Sequence, residues 1–90
     1  MREKRVEQEF TRRVKRLGGW AVKILLSVAG LLDRMAILPE GRIVFVELKA
    51  PNGTVATHQT VVHRRLAELG FPVVVLASLD EVGAWADSMA

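Results

Sequence analysis

The chain has 90 residues, half of them hydrophobic and 26% charged, with a formal net charge of +3 and no cysteine. This length sets one domain that hides only about two-thirds of its unfolded surface and gains from a partner subunit. The composition excludes a disordered chain, and the missing thiols exclude disulfides and thiolate metal sites.

The first 19 residues hold seven Lys or Arg (Arg2, Lys4, Arg5, Arg12, Arg13, Lys15, Arg16) against Glu3, Glu7 and Glu9, so this segment carries +4 and the remainder is close to neutral. A basic helix face suits phosphate backbones or anionic lipid, and it equally suits a face kept solvated by charge. No apolar core or small-residue cleavage site follows the basic start, so no signal peptide is read. Val6, Phe10, Val14 and Leu17 recur at helical spacing up to Gly18-Gly19 and predict a first helix. On its wheel Glu7 falls beside Val14, at the border of the apolar stripe.

Three short runs rich in branched residues follow: "WAVKILLSV", "LLDRMAIL" and "GRIVFVELK". They predict three strands in an antiparallel meander. Asp33 and Arg34 interrupt the apolar region from Ile24 to Leu38, which argues against a membrane span, so a cytoplasmic protein is expected. After the turn-like "APNGT", Thr57 can cap a helix carrying Val61, Val62, Leu66 and Leu69, closed by Gly70. "FPVVVLA" predicts a fourth strand, parallel to the third because a helix connects them. "SLDE" at Ser78 to Glu81 is a capping box opening a short last helix with Val82 and Trp85. The expected order is αβββαβα around a mixed sheet.

"LPEGR", between the second and third strands, fits a three-residue loop: a type I turn followed by a left-handed glycine. This loop pairs Ile37 with Ile43, Met35 with Phe45 and Asp33 with Glu47. A two-residue loop would shift the register by one and put Asp33 on the face of Leu48. Under the three-residue register two carboxylates face each other at roughly 5 Å between Cβ atoms, and they need a proton or a cation between them. Lys49 shares their face by the period-two alternation of strands. Asp33, Glu47 and Lys49 then converge at one end of a face filled by Met35, Ile37, Ile43 and Phe45. Hard oxygen ligands of this kind hold Mg²⁺ or Mn²⁺, which activates water and neutralises charge on a phosphate. Lysine can orient or deprotonate the attacking water or stabilise the transition state. The alternative is a strand that simply ends in solvent, with Asp33 in a loop.

Asp followed by Glu-x-Lys resembles the PD-(D/E)xK nuclease pattern. The wider segments "REKRVEQEF", "GGWAVK", "GLLDRMAILPEGRIVFVELKAPNG" and "HQTVVHRRLAELGFPVVVL" are similar, in order and spacing, to the virus-type replication-repair nuclease (VRR-NUC) domain over nearly the whole chain. The resemblance implies an α/β, restriction-endonuclease-like αβββαβ core with a mixed four-stranded sheet and a short C-terminal helix, spanning residues 1–90 as one domain. It implies a metal-dependent DNA endonuclease with Asp33 and Glu47 as metal-binding acids, the Leu48 backbone carbonyl as a further ligand, and Glu7 as a ligand, directly or through water. Lys49 becomes the catalytic lysine, Gln59 the motif glutamine, and Lys23 a basic position beside the site. Stand-alone relatives act as homodimers on four-way junctions, which implies Holliday-junction resolution in a bacterial or phage-infected cell. The chain departs from the family pattern at Leu32, where proline usually precedes the aspartate, and its "SVAG" segment is shorter and less basic. The departure at Leu32 supports a second reading, a non-catalytic nucleic-acid-binding module on the nuclease fold; an RNA-directed nuclease is a third.

Arg12, Arg16 and Arg64 are expected to contact nucleic-acid phosphates, and so is Arg34, which alternation puts on the face opposite Glu47. His58 and His63, five apart, turn to different sides of a helix and are not expected to share a metal. Trp20 and Trp85 are expected as core or subunit-interface anchors. No glycine-rich phosphate loop is present.

Overall fold

A computed structural model describes residues 2–24, 34–49 and 57–90. The fold is α/β. Helix α1 (Arg2–Arg16) leads into strands β1 (Trp20–Lys23), β2 (Arg34–Leu38) and β3 (Arg42–Leu48), then helix α2 (Thr57–Glu68), strand β4 (Val73–Leu76) and helix α3 (Leu79–Met89). The sheet order is β1-β2-β3-β4, with β1–β2 and β2–β3 antiparallel and β3–β4 parallel. This is the expected order and the expected mixed sheet. Among the described residues no helix is long and apolar enough to cross a membrane.

Helix α1 stops because Gly18 takes φ +85, a conformation open to glycine. The amides of Gly18 and Gly19 then bond back to the carbonyls of Lys15 and Val14 at 2.9 Å each. At α3 the Ser78 hydroxyl accepts from the Glu81 amide at 3.1 Å, as a capping box requires. Its reciprocal bond differs from the standard box: the Glu81 carboxylate takes the amide of Ala77, at 2.7 Å.

The β2–β3 register is the one that a three-residue loop predicts, with Leu38 opposite Arg42, Ile37 opposite Ile43 and Met35 opposite Phe45. The turn itself is not type I. Glu40 has φ 68 and ψ 27, and Gly41 also has positive φ, 73. The left-handed conformation thus begins at Glu40, one residue before the glycine, where a type I turn needs negative φ.

The core occupies one face of the sheet. Val6, Phe10 and Val14 of α1, together with Val82, Trp85 and Ala86 of α3, close over Ala36, Leu38, Val46, Leu48 and Leu76. Phe10 is fully buried and stacks on Trp85 with ring centroids 5.4 Å apart. Each large side chain so buried contributes about 1.5–3 kcal/mol. Among the described residues α2 adds nothing to this cluster. Trp85 is thus the core anchor expected of it, whereas Trp20 is 68% exposed and is not. Trp20 stands opposite Ile37 at the start of an edge strand, on the sheet face away from the cluster.

Candidate active site

Strand β3 carries Glu47 and runs on into Lys49, two of the expected site residues. Its even positions, Val44, Val46 and Leu48, turn toward α1 and α3, so Glu47 turns the other way, onto the face of Ile43 and Phe45. Glu47 is nevertheless only 4% exposed. A carboxylate kept this dry needs compensating charge or hydrogen bonds, and the Lys49 ammonium stands 3.4 Å from it. The backbone fixes both residues: Glu47 and Leu48 lie opposite Val75 and Leu76 of β4, and the Lys49 amide continues the ladder to the Leu76 carbonyl at 3.0 Å. Two parallel strands therefore aim the Glu-x-Lys pair.

The other expected residues distribute as follows. Asp33 lies outside the described residues, so its pairing with Glu47 does too; the described part of β2 begins one residue later. Gln59 lies in the first turn of α2, and its side chain is likewise outside what is described. His58 shares that limit. Arg16, Lys23 and Arg64 are exposed on α1, β1 and α2. Arg12 is exposed and forks onto Glu9, with contacts of 2.7–3.0 Å. Arg13 joins the same carboxylate at 2.8 Å. These guanidiniums, Arg13 first and then Arg12, hold the Glu9 carboxyl below the usual carboxylate range.

Arg34 is not a surface residue. It lies on the face opposite Glu47, as alternation requires, but that is the core face, and the residue is 6% exposed. Its guanidinium forms an ion pair with the Glu7 carboxylate of α1. The expected surface contact fails because α1 covers the row of Arg34, Ala36 and Leu38. Glu7 does point inward from the border of the apolar stripe, toward Arg34. Two signals for this contact were present in the sequence, a cation in an apolar strand row and an acid at a stripe edge, but nothing local links them.

No family model matches the sequence. The chain is 40% identical over 81 residues to "Putative nuclease p44" of Acyrthosiphon pisum secondary endosymbiont phage 1, covering 89% of this chain and 87% of that one. A solved structure described as a VRR_NUC domain matches it with a TM-score of 0.92 at 32% identity, over 100% of this chain and 99% of that one. The chain belongs to the VRR_NUC family.

Membership implies a divalent metal. The VRR_NUC residues described here fit one in kind. Glu47 offers a buried carboxylate, and Leu48 beside it offers a main-chain carbonyl; hard oxygen donors of this type suit Mg²⁺ or Mn²⁺. Among the described residues no three His, Cys, Asp or Glu cluster as a complete ligand set. Asp33 would have to complete it.

Proposed function

We propose that this VRR_NUC protein is a Mg²⁺- or Mn²⁺-dependent endodeoxyribonuclease that hydrolyses phosphodiester bonds in branched DNA. The observation that carries the reading is the buried Glu47 carboxylate beside the Lys49 ammonium at the end of β3, in a chain of this family. Asp33, Glu47 and the Leu48 carbonyl would hold the metal; Glu7, expected as a further ligand, pairs with Arg34 on the other sheet face. When bound, the metal supplies an activated water and neutralises charge on the scissile phosphate.

The chain's own groups do the remaining work. Lys49, beside Glu47, would orient the attacking water, or take its proton, and stabilise charge growing on the phosphate oxygens. Burial of Glu47 keeps competing water away from that end of the site. Gln59, at the start of α2, would orient the acids and the water. Arg12, Arg16, Lys23 and Arg64, all exposed, would track the phosphates of the two strands.

A four-way junction needs two symmetric cuts, and a two-fold homodimer supplies two sites for them. The setting proposed is the cytoplasm of a bacterium or of a phage-infected cell. The test is cleavage of a labelled four-way junction, a linear duplex and the RNA version of the duplex, with Mg²⁺, Mn²⁺ or chelator. Metal-dependent paired cuts in the junction are the expected result. Binding without cutting in either metal would replace this reading with a non-catalytic nucleic-acid-binding module, and preference for the ribose substrate would replace DNA with RNA.

A further inference from the structure

The cations of α1 and the Glu-x-Lys pair lie on opposite sides of the sheet. Val6, Phe10 and Val14 hold α1 on the core face, whereas Glu47 and Lys49 turn to the other face. On a wheel of about 100° per residue, Lys4, Arg5, Gln8, Arg12, Lys15 and Arg16 fall within about 60° of the direction opposite Phe10. All six are exposed. No acid among the described side chains shares this arc. Among the described residues only Arg12 of the five cations has an acidic partner, Glu9 on the flank. The stripe runs about 18 Å from Lys4 to Arg16, about half a turn of B-form DNA. Beside it α3 exposes Asp80, Glu81 and Asp87, so a phosphate backbone is steered along α1 and away from α3. The thickness of a helix, about 10–12 Å, separates the stripe from the sheet, and Glu47 lies beyond that. DNA is stiff over such lengths, so a straight duplex laid against Glu47 and Lys49 does not reach the stripe.

We infer that the outer face of α1 is a second nucleic-acid-binding surface, which holds a duplex arm other than the one at the Glu47 face. Two duplexes that leave a common junction can flank the protein in this way, and one linear duplex cannot. The stripe thereby favours branched DNA. The inference rests on the nuclease reading only for the role of the Glu47 face; contacts to the stripe need neither metal nor cleavage.

The test uses the absence of cysteine from the chain. Gln8→Cys marks the stripe, and Val75→Cys marks the other face, since Val75 is 39% exposed and stands opposite Glu47. Each carries an iron chelate that cuts nearby DNA by hydroxyl radicals, in a Lys49→Met background with Mn²⁺ so that the bound DNA is not hydrolysed. On an arm-labelled four-way junction the two variants should cut in different arms. No cutting from Gln8→Cys, or two patterns that overlap in one arm, overturns the inference. Cutting from Gln8→Cys alone overturns the nuclease reading instead, because no DNA then meets the Glu47 face, and leaves the stripe as the binding surface. A second measurement combines Arg5→Gln, Lys15→Gln and Arg16→Gln in one variant, shown by circular dichroism to be folded. Metal-free junction binding should weaken about tenfold or more, and its salt slope should fall by about two to three. Its single-turnover cutting rate with Mn²⁺ at saturating protein should match wild type. Junction affinity equal to wild type overturns the inference, whether the stripe is then a solvated face or a contact for anionic vesicles. A lower cutting rate at saturation also overturns it, by putting the stripe at the cleaved phosphate.

Discussion

The Lys49 ammonium stands 3.4 Å from the Glu47 carboxylate, on the sheet face turned away from the core. The two residues lie two apart on a strand whose partner β4 holds the register up to the Lys49 amide. The pair is therefore set by backbone hydrogen bonds and not by side-chain packing alone.

Their removal should separate catalysis from binding. Glu47→Gln and Lys49→Met are each expected to lower the cleavage rate by at least about 100-fold, while junction affinity in the absence of metal changes little. Single-turnover cleavage beside an electrophoretic binding assay measures both. The two variants should differ in stability as well. Lys49→Met leaves a buried carboxylate short of one counter-charge and should cost about 1–3 kcal/mol, whereas Glu47→Gln removes the buried charge itself and should cost less. Urea denaturation checks the order.

The start of β1 should tolerate no added methyl group. A Cβ on Gly19 would lie 2.4 Å from the Ile37 carbonyl oxygen and 2.9 Å from the Leu38 side chain. The first of these is backbone in the neighbouring strand, so β1 would have to move off β2. Gly19→Ala should cost about 1–3 kcal/mol, seen as a lower denaturation midpoint with an unchanged slope.

The β2–β3 turn offers the opposite kind of change. Glu40 holds φ 68 without being glycine, a conformation that costs an L-residue about 1–2 kcal/mol. Asparagine enters this region more readily. Glu40→Asn should raise stability by roughly half to one kcal/mol, and its cleavage rate should match wild type, since the turn lies at the end of β3 remote from Glu47.

Helix α1 provides a test of phosphate tracking. Glu9 ties up both Arg12 and Arg13. Glu9→Gln releases the two guanidiniums and removes one negative charge, so DNA should bind more tightly at low salt. Arg16→Gln should lower the salt slope of binding by about one, and Arg12→Gln should do so in the Glu9→Gln background, where Arg12 is released. The same carboxylate carries a pH signature. Its folded pKa lies below the unfolded value, so its small contribution to stability is present above the unfolded pKa and is lost as pH falls through the folded one. Glu9→Gln should flatten stability in that acid window, and added salt should do the same because the cluster is solvent-facing.

Much of this architecture was legible in the sequence. The element order, the three-residue loop register and the shared face of Glu47 and Lys49 all rest on local rules, namely hydrophobic period, turn chemistry and side-chain alternation. Asp33 and the Gln59 side chain, both central to the proposed site, lie outside the described residues. Local rules do not reach the packing of layers. Alternation puts Arg34 on the face opposite Glu47, but it says which side a residue takes and not what covers that side. Helix α1 covers it, and the expected surface arginine became a buried partner of Glu7. Of the two roles expected of Trp20, core or subunit-interface anchor, only the core one fails: it lies on a face that the core cluster does not reach.

By itself, then, the sequence determined the strands, their pairing and the face that bears the Glu-x-Lys pair, because each depends on neighbours a few residues away. The tertiary structure decided which charges are buried and which acid meets which base. Those outcomes depend on how α1 lies across the sheet, a contact between residues 27 apart that no local pattern encodes.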